Sequence, residues 1–195
     1  MPKNAGVNVS LVKQAETSAI LAAYLEFNNL KQIYRQGWLN RGVPPEQCET
    51  VAEHILGVAL LAWFVADQSF PTFNRDKLLR MALVHDLGEV FVGDLTPTDA
   101  VSPGEKRRRE REAITQLVSR LPHGREYVEL WEEYEAGRTN EARLVRQIDR
   151  LEMACQALIY EKQGFGAMEE FFRSASTAVY TPEVLSMLDM LKKLR

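Results

Sequence analysis

Apolar residues recur at helical intervals along most of this chain, and no segment shows sustained alternation between apolar and polar residues. An amphipathic helix needs an apolar residue on its buried side every three or four positions, whereas a half-buried strand needs one at every second position. The pattern therefore predicts an all-α protein whose helices pack into a bundle, with strands absent or trivial.

Eight helices account for this pattern. They are predicted over residues 15–33, 51–68, 75–90, 105–120, 125–135, 141–161 and 168–173, and from residue 182 onward. Two starts carry recognisable caps, because Thr50 with Glu53 matches a capping box and Asn74 can cap the helix after it. Residues 1–14 lack periodicity and are predicted to be a flexible terminus. Residues 34–50, which contain two glycines and two prolines, are predicted to be a loop.

The bulk properties favour one domain, over residues 15–195. The chain has 195 residues, 46% of them hydrophobic and 26% charged, which suits one globular core. The net charge of −3 predicts no nucleic-acid polymer as partner, and the arginines at 107–109 are flanked by glutamates, as on a solvated helix face. No apolar run approaches the ~20 residues of a membrane span. Two distant cysteines without a signal peptide predict a cytoplasmic location.

The chain contains only three histidines, and the position of two of them indicates a metal site. His85 and Asp86 end a largely apolar stretch, where an imidazole and a carboxylate need a partner or a cation to offset desolvation. Such a pair suits divalent first-row metals. His54 and Asp149, in two other predicted helices, complete a four-ligand set if the helices converge. Taken alone, a histidine such as His54 is more often a core or surface residue than a ligand, and Asp149 equally fits an exposed pair with Arg150.

The order of these residues resembles that of the HD-domain phosphohydrolases. It consists of Glu-His at 53–54, His-Asp-Leu-Gly-Glu at 85–89, Gly-Asp at 93–94 and an isolated Asp149 in a late helix. Within that superfamily the chain is most similar to the 5'-deoxynucleotidases, which are deoxynucleoside 5'-monophosphate phosphatases, and the similarity covers about residues 30–194. It implies an HD-domain bundle of about seven or eight helices.

The resemblance also implies which residues do the chemistry. It matches four positions to the ligands of one metal ion: His54, His85, Asp86 and Asp149. It assigns Glu89 and Asp94 to catalysis, for which phosphomonoester hydrolysis needs a nucleophilic oxygen and a proton for the leaving group. Glu89, four residues after His85, is the candidate for deprotonating water, and Asp94 for proton transfer near the leaving group. Without the resemblance, Glu89 would be read as a solvent-exposed helix end and Asp94 as a turn residue.

Three residues of the 34–50 segment are candidates for binding the substrate. Arg35 can hold phosphate oxygens in bidentate fashion, Trp38 can cover a sugar or base, and Arg41 is a second candidate for the phosphate. In the related nucleotidases the Arg and the Trp of this segment are adjacent, whereas two residues separate them here.

The sequence thus predicts a hydrolase that removes the 5'-phosphate of (deoxy)nucleoside monophosphates by metal-activated water. Its cofactor is one divalent cation, for which Mn²⁺, Co²⁺, Fe²⁺, Mg²⁺, Ni²⁺ and Zn²⁺ are all candidates. The alternatives are an HD-type hydrolase of a nucleoside triphosphate or phosphodiester, and a non-catalytic metal-bound binding module. Glu89 and Asp94 favour an enzyme, because a binding module needs neither. A homodimer is expected, formed through the apolar face of the 141–161 helix.

Overall fold

The computed structural model describes residues 18–195, in which the only β structure is an isolated bridge between Tyr34 and Thr50. The predicted all-α architecture is therefore confirmed. The α-helices are α1 (Ala19–Phe27), α2 (Gln36–Leu39), α3 (Val51–Ser69), α4 (Arg75–Val84), α5 (Glu89–Val92), α6 (Pro103–Val118), α7 (Gly124–Ala136), α8 (Asn140–Lys162), α9 (Glu169–Ala178) and α10 (Pro182–Lys193). A 3₁₀ turn, Asn28–Lys31, follows α1. The predicted flexible terminus at residues 1–14 lies outside the described residues.

Two four-residue helices, α2 and α5, bring the helix count in residues 18–195 slightly above the seven or eight that were expected. Both are single turns, which are too short to show a period in the sequence. The predicted helix over residues 75–90 is wrong as one continuous helix, because α4 ends at Val84 and only the last two of the remaining residues are helical, in α5. Tight turns follow, in which Leu87 N donates to Val84 O at 3.1 Å and Glu89 N donates to Asp86 O at 3.0 Å.

The predicted caps are both present and fix where α3 and α4 begin. Glu53 N donates to Thr50 Oγ1 at 3.3 Å while Thr50 N donates to Glu53 Oε2 at 2.7 Å, which completes the capping box. Asn74 Oδ1 accepts a hydrogen bond from Lys77 N at 3.0 Å. A cap of this kind stabilises a helix by about 1 kcal/mol. The start of α3 places His54 in the first turn of that helix, with its side chain buried.

The long helix α8 lies at the centre of the bundle and contacts α3, α4, α7, α9 and α10. Most of its predicted apolar stripe is buried, namely Leu144, Ile148, Leu151 and Leu158. This stripe is the face that was expected to form a homodimer. These four residues are covered by helices of the same chain and are not available as an interface, whereas Ile159 of the same stripe is 48% exposed, so self-association stays a prediction.

Helix α3 is long and apolar enough to cross a membrane, judged by length and composition alone. The best 18-residue window has a mean hydropathy of 1.3, and 44% of it is buried inside the bundle. Core helices of soluble proteins meet the same criterion, so one such helix is weak evidence for a membrane span. Its exposed side carries four large apolar residues, Leu56, Leu60, Trp63 and Phe64.

The arginine run at 107–109 lies on the exposed side of α6 and is paired with acidic residues. Arg108 lies 2.8 Å from Glu105 and 2.7 Å from Glu112, and Arg109 lies 2.7 Å from Glu105. Pairs at this spacing are typical of a solvated helix face. The run therefore gives no support to a nucleic-acid interface.

Candidate metal centre

Four side chains meet where α3, the end of α4 and α8 pack together. His54 Nε2 lies 3.3 Å from Asp149 Oδ1 and 3.6 Å from Asp86 Oδ2. His85 Nε2 lies 3.3 Å from Asp86 Oδ2 and 3.4 Å from His54 Nε2. The fold thus brings together all four residues that were predicted as metal ligands, from three separate parts of the chain.

These separations fit a shared cation. Ligand atoms about 2 Å from one metal ion lie roughly 3–3.5 Å from one another. His54, His85 and Asp149 are buried, and each offers an atom within 4.8 Å of the other two. Asp86 is more open, with 21% of its side chain exposed. Two imidazole nitrogens and two carboxylates form a donor set that suits a divalent first-row metal and leaves room for further ligands.

Both imidazoles are held so that their Nε2 atoms face the cluster. His85 Nδ1 donates to the Ala82 carbonyl at 2.7 Å, and that carbonyl is free to accept because α4 ends two residues later. His54 Nδ1 donates to Glu152 Oε2 at 2.7 Å. A donating Nδ1–H fixes the tautomer in which Nε2 carries the lone pair that a metal ion needs.

Glu152 was not predicted from the sequence, although it orients a ligand. It lies on α8 one turn after Asp149, so both carboxylates face α3. Gly57 of α3 provides the room, because a Cβ atom at that position would lie 2.5 Å from Glu152 Oε1. A glycine inside a helix costs about 1 kcal/mol relative to alanine. That glycine, opposite a second carboxylate three residues after Asp149, is the signal that could have identified Glu152.

The charges around the cluster favour a cation. Burial and Arg35 lower the pKa of His54, but hydrogen bonds to Asp149 and Glu152 raise it to about 10. Burial raises the pKa of Asp149, yet Arg150 and His54 hold it below its ordinary value, so this carboxylate stays ionised. Positive charge is therefore stabilised at this point in the core, and a divalent cation supplies it more completely than a proton.

Glu89 begins α5 and is buried, with only 1% of the residue exposed. A turn, and not the continuous helix that was predicted, connects it to His85. Burial and the negative charges of Asp86 and Asp94 raise the pKa of Glu89 well above its ordinary value. Its Oε2 atom has no hydrogen-bond partner among the described residues. A buried polar atom without a partner costs about 1–3 kcal/mol, and this cost suggests that Oε2 has a partner during function.

Arg35 faces the open side of the cluster. Its Nη1 atom lies 2.9 Å from Asp94 Oδ1 and 3.5 Å from Asp86 Oδ2. Asp94 Oδ2 accepts a second hydrogen bond from Gln36 N at 2.5 Å. Burial alone would lower the pKa of Arg35, but Asp94 and Asp86 raise it, so the guanidinium is charged at every relevant pH. This guanidinium can hold an anion next to the predicted metal ligands.

Trp38 and Arg41 do not join the cluster. Trp38 is 1% exposed, its ring centre lies 4.0 Å from that of Phe171, and its Nε1 donates to Glu49 Oε1 at 2.7 Å. This core position leaves no free face to cover a sugar or base and does not fit the predicted substrate contact. Arg41 pairs with Glu170 of α9 at the surface.

Replacing Glu152 tests its orienting role. We expect Glu152→Gln to weaken binding of the divalent cation by about 10–100-fold, because an amide does not stabilise His54 as a carboxylate does. Glu161→Gln is the matched control, since Glu161 lies on the same helix but binds Arg195. Titration with Co²⁺, followed by its absorption, measures the affinity, and equal affinities for the two variants would contradict the role.

Comparison with known proteins gives three consistent findings. The family model described as "HD domain" matches residues 27–188. The chain is 40% identical over 170 residues to "5'-deoxynucleotidase HDDC2" of Danio rerio, an alignment that covers 85% of this chain and 82% of the relative. The structure of a conserved hypothetical protein from Pyrococcus furiosus matches with a TM-score of 0.76 and 29% identity, over 89% of this chain and 99% of that one.

A further solved structure carries a functional description. It is titled a predicted metal-dependent phosphohydrolase from Magnetospirillum magnetotacticum. It matches with a TM-score of 0.66 and 26% identity, and the alignment covers 93% of this chain and 95% of that chain. The family model spans the segment from α3 to α8, which supplies the four clustered side chains.

Proposed function

The chain belongs to the HD domain family, and from this membership we propose that it is a metal-dependent hydrolase that removes the 5'-phosphate of deoxynucleoside monophosphates. The observation that carries the proposal is the convergence of His54, His85, Asp86 and Asp149, in which each histidine Nε2 lies 3.3 Å from an aspartate oxygen and Arg35 lies 3.5 Å from Asp86. The enzyme relative named above, whose length the chain largely covers, supplies the substrate class.

The cation site is formed by those four side chains. A bound divalent cation supplies positive charge to the phosphoryl group and makes a water molecule a better nucleophile at neutral pH. Imidazole and carboxylate ligands accept several first-row metals, so we propose a single divalent ion whose identity depends on availability.

Arg35 is the residue that binds the phosphate. Its guanidinium lies beside Asp86 and Asp94 with 14% of its side chain exposed, so it is partly desolvated and aimed at the open side of the site. A phosphate that enters there exchanges its hydration for charge-assisted hydrogen bonds from a cation that is already positioned.

Glu89 is the proton acceptor in this scheme. Its Oε2 atom is the free position on a buried carboxylate, and burial together with Asp86 and Asp94 raises its pKa, which makes it a stronger base than an ordinary glutamate. The same carboxyl group can then return the proton to the leaving 5'-oxygen.

Asp94 has a different role from the predicted proton transfer. Both of its oxygen atoms are engaged, one by Arg35 and one by Gln36 N. These contacts suit a residue that orients the arginine, and Asp94 acts on the substrate through Arg35.

Two alternatives are distinguished by chemistry. A metal-bound binding module has no use for the buried, unpartnered oxygen of Glu89, so the enzyme is favoured. A hydrolase of triphosphates or phosphodiesters would use the same ligands. Incubation of the metal-loaded protein with dAMP, AMP and dATP, followed by product analysis, tests the choice. We expect inorganic phosphate and deoxyadenosine from dAMP, whereas triphosphate from dATP as the main product would replace this proposal with the alternative.

Replacing Arg35 and replacing Arg41 should have different effects on the KM for the substrate. We expect Arg35→Met to raise KM for dAMP by about 10-fold or more, since a charge-assisted contact to phosphate is lost. Arg41→Met should change KM little, because Arg41 is paired with Glu170 on the surface. Steady-state kinetics on both variants measure KM for dAMP. A larger rise in KM for Arg41→Met than for Arg35→Met would indicate that Arg41 binds the phosphate.

A cytoplasmic location and a homodimer remain proposals. The exposed apolar residues of α3, and not those of α8, are the surface that a second copy would cover.

A further inference from the structure

Lys106 of α6 lies next to the Glu89 carboxylate and to the backbone that follows Asp94, although it belongs to none of the motifs that identified these residues. Its Nζ atom donates to the Leu95 carbonyl at 3.1 Å. The same atom lies 3.3 Å from Glu110 Oε1 and 3.8 Å from Glu89 Oε1. The first of these contacts holds the backbone immediately after Asp94, and the last faces Glu89.

Close packing of α6 on the turn before α5 makes this arrangement possible. A Cβ atom at Gly88 would lie 2.7 Å from Glu110 Cβ and 2.8 Å from Glu110 O. Only a residue without a side chain lets the two backbones approach so closely. Lys106 precedes Glu110 by one turn of α6, so the same approach brings its ammonium group to Glu89.

The carboxylate of Glu89 is incompletely partnered. The residue is 1% exposed, and its Oε2 atom has no hydrogen-bond partner among the described residues. A buried carboxylate needs an opposite charge to offset its desolvation. Lys106 is the cation in ion-pair contact with it, and its own position is fixed by Glu110 and the Leu95 carbonyl.

We propose that Lys106 is a positioning residue for phosphomonoester hydrolysis, which holds Glu89 and the backbone at residues 94–95 in fixed register beside the metal ligands. It acts through these groups and contacts neither the metal ion nor the substrate. The inference rests on the proposed function, because it needs Glu89 to take part in the reaction.

A purely structural ion pair would have a different signature. If Lys106 only joined α6 to α5, its loss would lower stability while each folded molecule kept its turnover rate. A positioning residue instead lowers kcat in molecules that are folded and loaded with metal, because the distance between the base and the attacking water is no longer maintained.

The experiment compares Lys106→Met, Lys106→Gln and Lys106→Arg with the wild type and with Arg109→Met. Arg109 lies on the same helix and pairs only with Glu105 among the described residues, so it serves as the matched control. Each protein is loaded with Mn²⁺, and kcat and KM for dAMP, bound metal and thermal unfolding are measured. Hydrogen–deuterium exchange of the peptide covering residues 93–99 gives a readout that does not depend on activity.

We expect both neutral variants to lose about 10–100-fold in kcat, with KM and bound metal nearly unchanged, as is typical when a supporting residue is removed. Lys106→Arg should retain more activity than Lys106→Gln because it keeps the charge. The peptide covering residues 93–99 should exchange faster in the neutral variants. If Lys106→Met does not fold, Lys106→Gln decides, since it retains a polar group that can reach the Leu95 carbonyl.

Several results would overturn the inference. One is unchanged kcat in folded, metal-loaded Lys106→Gln, and another is a loss of activity that only follows a loss of metal. A rise in KM at constant kcat would make Lys106 a substrate ligand, and equal activity of the Arg and Gln variants would exclude a role for its charge. Inactivity of the wild type towards every nucleotide would refute the proposed function itself. Failure of the inference alone would instead leave the wild type active.

Discussion

Asp149→Asn should bind the divalent cation at least ~100-fold more weakly than the wild type and should have no measurable turnover of dAMP at micromolar metal concentrations. The estimate follows because four-ligand sites bind with ~10–16 kcal/mol, so one anionic ligand of four contributes roughly 3 kcal/mol or more. The amide has the shape of the carboxylate but lacks the charge, which excludes a simple cavity effect. Isothermal titration with Mn²⁺ and a phosphate-release assay measure the two quantities.

The control for this variant is Asp189→Asn on α10, whose side chain is 57% exposed and pairs with Lys192. It should bind metal and turn over dAMP like the wild type. Retention of normal metal affinity by Asp149→Asn would show that the cation is held elsewhere. Because metal binding contributes to folding, thermal unfolding with and without Mn²⁺ should show a smaller metal-induced shift for Asp149→Asn than for the control.

We expect the Glu89→Gln variant to retain bound metal and to turn over substrate much more slowly. We expect kcat to fall by about 10²–10⁴-fold, the usual contribution of a general base, while the bound metal stays at the wild-type level. The substitution preserves volume and removes the group that accepts the proton. Because the pKa of Glu89 is raised by burial, the neutral amide is no harder to bury than the carboxylate, so stability should be equal or higher.

Single-turnover kinetics together with metal analysis separate the two possible causes of inactivity in Glu89→Gln. Loss of metal from this variant would make Glu89 a ligand of the ion. Full activity of this variant with metal bound would show that Glu89 takes no part in the reaction. The proposed positioning role of Lys106 would then fail as well.

The sequence predicted the parts of the site that depend on local pattern. The capping box at Thr50 places His54 in the first turn of α3, and the apolar stretch that ends at His85 and Asp86 already called for a partner or a cation. Asp149 was harder, because a single acidic residue in a charged helix has no local signature. Its place in the cluster depends on the family pattern and on how α8 packs against α3.

The residues that were missed or misplaced depend on packing between distant segments. Glu152 reaches His54 beside Gly57, where a Cβ atom would meet its carboxylate, and Lys106 reaches Glu89 because Gly88 lets α6 approach. Neither approach is visible in a periodicity of apolar residues. Trp38 does not take the expected position beside the substrate. Two residues separate it from Arg35, and α2 places its side chain in the core.

The central claim is that the four-ligand cluster holds a cation that the hydrolysis of a 5'-phosphate requires. The most direct measurement is phosphate release from dAMP by the wild-type protein before chelation, after removal of metal with a chelator, and after reloading with Mn²⁺ or Co²⁺, with bound metal quantified in each sample. We expect about one metal ion per chain, loss of activity when the metal is removed, and recovery of activity on reloading. Unchanged phosphate release from metal-free protein, or a fully loaded protein that leaves every nucleotide intact, would contradict it.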